Sequence, residues 1–219
     1  MKITDAYTKY RINKGLQEHQ IRAAAVSKII CDTSREDLPT QHIVDGSLVH
    51  DMGNLIKSKM DSMQELFEPE GVEYWQQVKA EMVATYGPSE DAAAKAIVQE
   101  IRLSHESVRY FNAFGIEAIP RVYENGNLGE KIATYCDMRV GPFGIISLHE
   151  RLDDIRDRYL AAGDVISDLA RAINDRQGIL EEIEAEIFAT TTINADEVTD
   201  DTTKLVQQEL WDWRLSVIN

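Results

Sequence analysis

The sequence predicts an all-α protein, and three observations carry that expectation. Its 219 residues include only five prolines. Alternating apolar/polar runs of the strand type are scarce. Apolar residues instead recur at steps of three and four along most of the chain.

The first predicted helix covers residues 13–30, where Leu16, His19, Ala23, Val26 and Ile30 share one stripe and place His19 on the buried side. The polar stretch 32–39 makes a connection. A second helix is expected over 41–59, its inner face marked by Val44, Leu48, Met52 and Leu55 or Ile56. Gly53 lies inside this stretch at a cost of about 1 kcal/mol relative to alanine, which a close approach by another helix or by a ligand would explain. Residues 61–71 read as a mobile connection and 72–85 as a third helix. Tyr86-Gly87-Pro88-Ser89 is a stop followed by a start, with Ser89 a candidate N-cap.

A fourth helix is expected over 91–111, with Ala94, Ile97, Ile101, Ser104 or His105, and Val108 on one face. A short element at 116–122 and a turn at 124–127 lead to a fifth helix at 129–140, which carries Ala133, Asp137 and Val140 at spacing i, i+4, i+7 and is ended by Gly141-Pro142. From Leu148 the texture changes: no proline follows and charged residues dominate. Ile166, Leu169, Ile173, Leu180, Ile183 and Ile187 keep a rhythm of 3.5 residues, and a last helix carries Val198, Leu205, Trp211 and Leu215. The expected organisation is a helical core over 1–147 with a helical hairpin over 148–219, either folded back on the core or forming the seam of a homodimer.

The net charge of −15 argues against a general nucleic-acid or anionic-membrane surface, which needs a basic face. It does not argue against a small phosphorylated substrate, which needs only local cations and a metal. No uncharged apolar run approaches the roughly 18 residues of a membrane span, and the start lacks the apolar segment of a signal peptide. Cys31 and Cys136 have no metal-type spacing and read as small core residues in a reducing compartment. Together these features predict a cytoplasmic protein with no membrane partner. Trp75, Trp211 and Trp213 are expected to pack between helices.

His50-Asp51 stands out because it interrupts an apolar run, where unpaired polar groups are costly. Three predicted helices offer metal-type groups from a buried face: His19, the His50-Asp51 pair, and Asp137. Two imidazoles and two carboxylates make a mixed nitrogen and oxygen set that suits Mn, Fe, Co, Ni or Zn, with Mg a further candidate. Such a site holds a phosphoryl oxygen and lowers the pKa of a bound water.

The order His … His-Asp … Asp in a helical chain resembles the HD-domain superfamily of metal-dependent phosphohydrolases. The matching stretches are Leu16-Gln17-Glu18-His19-Gln20-Ile21-Arg22, Leu48-Val49-His50-Asp51-Met52-Gly53 and Ala133-Thr134-Tyr135-Cys136-Asp137-Met138-Arg139. The resemblance spans roughly residues 13–145 and not the C-terminal hairpin. It implies an HD-type helical core, His19, His50, Asp51 and Asp137 as ligands of one divalent metal, and Asp51 as the group that orients or activates the attacking water. Many members carry Lys or Glu three residues after the HD aspartate as a catalytic assistant. Here that position is Asn54, which hydrogen-bonds but carries no charge.

Phosphate needs cations, and Arg22, Arg139 and Lys57 are the candidates for substrate binding, Arg22 foremost because it shares the helical face of His19. His105 reads as a histidine bonded to a neighbour, which leaves one metal. The activity so implied is hydrolysis of a small phosphorylated metabolite, a nucleotide phosphomonoester or cyclic phosphodiester. An alternative is a catalytically silent nucleotide-binding regulator on the same scaffold, motivated by Asn54 and the sparse cations. A third reading, a structural helical protein, would be marked by a metal-free, hydrogen-bonded cluster of His19, Asp51 and Asp137.

Overall fold

In a computed structural model, which describes residues 1–60, 64–161 and 166–218, the chain is all-α; among the described residues β-type pairing is limited to isolated bridges. Its centre is a pair of helices, α2 (Lys14–Thr33) and α3 (Thr40–Val49), which pack along each other. Asn13 starts α2, its side chain accepting from the Leu16 amide at 3.0 Å. The run Ala23-Ala24-Ala25 is fully buried, and these small side chains let neighbouring helices come close.

A short helix, α1 (Ile3–Lys9), which the apolar spacing does not announce, precedes this pair. After α3 come α4 (Val72–Tyr86), α5 (Glu90–Ile101), α6 (His105–Phe111), α7 (Ile119–Asn125), α8 (Leu128–Asp137), α9 (Leu148–Ala161), α10 (Ile166–Ala189) and α11 (Asp200–Leu210). Every residue of α3 from Ile43 to Val49 is buried, with α2, α6 and α8 around the helix. The contact with α6 forms at Gly46, where a Cβ would meet the Phe111 amide nitrogen at 2.8 Å.

Two apolar clusters flank α3. One joins Ile3, Tyr7, Ile21, Leu48 and Ile97 to Leu210 and Leu215. The other joins Ile30, Ile43, Val122 and Tyr135 to Ile183, Ile187 and Val198. Residues after 148 therefore fold back and supply part of both clusters. Ile166, Leu169 and Ile173 have side chains outside the described residues.

Several expected boundaries move. The helix expected over 41–59 stops at Val49; His50 to Gly53 form a turn, and Asn54–Lys57 a single 3₁₀ turn. A Cβ on Gly53 would lie 2.0 Å from the Glu90 carbonyl oxygen and 2.9 Å from the Ala94 nitrogen, so the close approach that this glycine predicts is that of α5. The helix expected over 91–111 is two. Arg102 takes a left-handed φ of 59°, Leu103 pairs with Val217 of the C-terminal tail, and Ser104 restarts the chain as the N-cap of α6. The fifth predicted helix ends three residues early, at Asp137, after a start set by the reciprocal cap of Asn127 and Glu130.

Of the stretch expected as a mobile connection, residues 61–63 lie outside the described residues, while Gln64–Phe67 is a 3₁₀ turn with Phe67 buried beside Trp75. Residues 116–118 are a 3₁₀ turn leading into α7, which absorbs Glu124 and Asn125 of the expected turn. Leu205 faces solvent at 72 % exposure, because α11 buries Thr203 and Leu210 instead. No helix among the described residues is long and apolar enough to cross a membrane.

Candidate metal centre

Three separate stretches of chain meet at one end of α3. His19 comes from the second turn of α2, His50 and Asp51 from the turn that closes α3, and Asp137 from the last residue of α8. His19 Nε2 lies 3.0 Å from Asp137 Oδ1 and 3.5 Å from Asp51 Oδ2. His50 Nε2 lies 3.6 Å from Asp51 Oδ2 and 3.5 Å from Asp137 Oδ1. Donor atoms of His19, His50 and Asp51 all fall within 4.8 Å of one another, so these three residues form a group that could hold a metal ion. Asp137 joins them through the His19 hydrogen bond.

The orientation of His50 is fixed from behind. Its Nδ1 lies 2.8 Å from the Ser47 carbonyl oxygen, which can only accept, so Nδ1 carries the proton and donates. The other nitrogen, Nε2, is thereby turned toward the two carboxylates. It is buried, and it has no hydrogen-bond partner among the described residues. Phe114 stacks on the outer face of the ring, with centroids 4.3 Å apart and planes inclined by 22°. Burial alone would push the His50 pKa down; the Asp51 and Asp137 carboxylates beside it outweigh burial and raise it to about 9. The Asp137 carboxyl is desolvated too, yet His19 and His50 hold it well below the usual carboxylate range.

The candidate cations divide. Arg22 lies one turn beyond His19 on α2, with Nη2 at 3.4 Å from Glu18 Oε2 and Nε at 3.8 Å from Asp200 Oδ1. Its Nη1 has no hydrogen-bond partner among the described residues. Lys57 is half exposed and sits 3.8 Å from Glu90 Oε1. Arg139 is not brought to the cluster. It is 4 % exposed, and its guanidinium donates to Tyr135 Oη and to the carbonyls of Ile146, Ala195 and Val198. Spacing from Asp137 places Arg139 near the site; the end of α8 turns it instead toward the connection before α11.

Asn54 begins the 3₁₀ turn after the pair, its amide donating to the Asp51 carbonyl at 3.0 Å. His105 is an exposed first residue of α6 and no member of the cluster. His42, by contrast, is tied to Ser107 and Glu106. The cysteines are both buried thiols. Trp75, on α4, packs in one cluster with Leu55, Ile56 and Phe67, Trp211 lies edge-on to Tyr7, and Trp213 donates its indole N–H to Asp45.

Ser47, Gln20 and Phe114 are the contributors that the sequence reading misses. Gln20 had a signal, since it lies four residues after Leu16 on the buried stripe of α2. Ser47 acts through its backbone carbonyl, which no residue type announces. Comparison with protein-family models, with curated proteins and with solved structures finds no match.

Proposed function

We propose that this chain is a metal-dependent phosphohydrolase on an HD-type scaffold, acting on a small phosphorylated metabolite, a nucleotide phosphomonoester or cyclic phosphodiester. The observation that carries this reading is the His50 Nε2 atom: a buried nitrogen lacking a hydrogen bond among the described residues, held to face two carboxylates and a second imidazole. A purely structural cluster would share the His19–Asp137 hydrogen bond and would leave this nitrogen with carboxylates at 3.5–3.6 Å but no hydrogen bond of its own. The donor set fits Mn, Fe, Co, Ni or Zn, and Mg less well because Mg prefers oxygen ligands.

His19, His50, Asp51 and Asp137 would hold the ion. When bound, it would supply Lewis-acid polarisation of a phosphoryl oxygen and acidify a water. Asp51, the more exposed of the two residues in the pair, orients the attacking water through its carboxylate and takes up its proton. Ser47 and Phe114 keep the His50 ring fixed. Arg22 offers its guanidinium to the charge that develops on phosphorus-bound oxygens. Asn54 contributes hydrogen bonds only.

Metal analysis of the purified protein, followed by a phosphatase screen with the metal found, tests the reading. Near-stoichiometric transition metal is expected, with a loss of about 100-fold or more in turnover for Asp51→Ala. Metal-free purified protein, or Mn-dependent activity unchanged in that variant, would sink it. The regulatory alternative gains from Arg139 being committed elsewhere and from Asn54. Tight nucleotide binding without turnover across several divalent metals would favour it.

A further inference from the structure

We propose that Gln20 is a positioning residue for the candidate metal centre: its side-chain carbonyl holds the Asp51 amide and so keeps the Asp51 carboxylate turned toward His19 and His50. The functional consequence rests on the metal-centre reading; the structural part does not.

In a helix continuing past Val49, the Asp51 amide would donate to the carbonyl four residues back, that of Ser47. That carbonyl takes the His50 Nδ1–H at 2.8 Å. The Asp51 amide instead donates to Gln20 Oε1 at 3.3 Å. Gln20 is fully buried, and its own amide group donates to the Leu16 carbonyl at 3.4 Å, which fixes Oε1 as the end that faces Asp51. Two side chains thus take the two backbone groups that would have extended α3. An orphaned buried amide costs about 1–3 kcal/mol, so Gln20 favours the turn over helix continuation.

Neighbouring residues on a helix point about 100° apart, and His50 keeps helical dihedrals (φ −60°, ψ −34°), so the bond from the Asp51 amide to Gln20 bears on where the Asp51 carboxylate points. In the turn, His50 Nε2 and Asp51 Oδ2 lie 3.6 Å apart and both lie near His19. Gln20 is also the residue next to His19, so a single turn of α2 supplies one ligand and sets the direction of another.

Gln20→Leu removes the acceptor at similar volume, and Gln20→Glu keeps an acceptor. Two readouts are taken: amide hydrogen exchange over 50–53 in metal-free protein, and the absorption spectrum and Kd of added Co²⁺. In Gln20→Leu, exchange over 50–53 should rise tenfold or more while α8 stays protected. Co²⁺ should bind at least tenfold more weakly with shifted bands, and Gln20→Glu should return both toward wild type. A folded Gln20→Leu protein with wild-type exchange and the wild-type Co²⁺ spectrum overturns the proposal. If wild-type protein takes up no Co²⁺, the metal-centre reading fails and the exchange arm alone decides on Gln20. Should Gln20→Leu not fold, Gln20→Glu decides: retained protection over 50–53 supports the role, and lost protection in a folded protein overturns it.

Discussion

His50 Nδ1 donates to the carbonyl oxygen of Ser47, three residues earlier in its own chain, at 2.8 Å. This bond takes the carbonyl that a continuing α3 would give to the Asp51 amide, and it leaves Nε2 as the nitrogen that faces Asp51 and Asp137. A proton and any metal ion bound at this site would therefore compete for the same lone pair.

That competition gives a pH dependence with a definite sign. In the metal-free protein the His50 pKa is raised from 6.5 to about 9, so at pH 7 Nε2 carries a proton that metal must displace. Metal binding at pH 7 should release about one proton, and apparent affinity should climb roughly tenfold per pH unit before levelling near pH 9. Titration calorimetry in buffers of different ionisation enthalpy reads both. For stability of the metal-free protein, a raised pKa is a contribution fully present below 6.5 and lost as pH rises through about 9, on the order of 3 kcal/mol. Asp137, whose pKa is lowered, contributes above its ordinary value of 3.8 and loses that contribution as pH falls further. Thermal melts of metal-free protein should thus peak between about pH 4 and 6.5. A flat profile from pH 6 to 9.5 would contradict the geometry at His50.

Gly53→Ala should destabilise the protein by about 1–3 kcal/mol, since the new Cβ would sit 2.0 Å from the backbone oxygen of Glu90 and α5 must move to admit it. Gly178 is the control. It is exposed in α10, and among the described residues no atom lies within 4 Å of where its Cβ would be. Gly178→Ala should stabilise by about 0.5–1 kcal/mol through helix propensity. Urea unfolding of both variants checks the opposite signs.

The same residues show what a linear chain discloses. His19, His50, Asp51 and Asp137 are legible because polar groups on buried stripes are costly and conspicuous, and the fold brings them together. The helix end at Val49 is not legible: Leu48, Met52 and Leu55 keep helical spacing through it, and all are buried on both sides of the break. At this break the Ser47 carbonyl is taken by the His50 ring, a local bond, and the Asp51 amide by a glutamine of α2, a tertiary one. The division between α5 and α6 is hidden likewise, because Leu103 is held by pairing with Val217, more than a hundred residues away. Arg139 shows the opposite error, in which sequence proximity to Asp137 suggests a shared site and the close of α8 turns the side chain aside.

Asp45 should prove a major stability determinant that lies outside the candidate metal centre. It is fully buried on α3 and accepts from Gln41 Nε2 at 2.9 Å, Ser107 Oγ at 2.8 Å, Trp213 Nε1 at 2.8 Å and the Ser216 amide at 3.1 Å. This carboxylate pins the C-terminal tail over α3 and α6. Asp45→Ala orphans several donors at once and should cost about 3 kcal/mol or more. The tail beyond Leu210 should then become the first site of limited proteolysis. A variant with wild-type melting and an intact tail would show that these donors find other partners.

Arg22 and Arg139 separate catalysis from folding. Arg22 has a guanidinium nitrogen without a hydrogen-bond partner among the described residues, one turn from His19. Arg22→Ala should therefore lower kcat/KM for a phosphorylated substrate by about 10- to 100-fold, with a small change in stability. Arg139→Ala should do the reverse. It strands the carbonyls of Ile146, Ala195 and Val198 together with the Tyr135 hydroxyl, so unfolding free energy should fall by about 3 kcal/mol. Activity per folded molecule should stay near wild type. Steady-state kinetics on protein whose folded fraction is measured by denaturant titration distinguishes the two. If Arg139→Ala lowers kcat/KM of folded protein as far as Arg22→Ala does, the assignment of Arg139 to the scaffold is wrong.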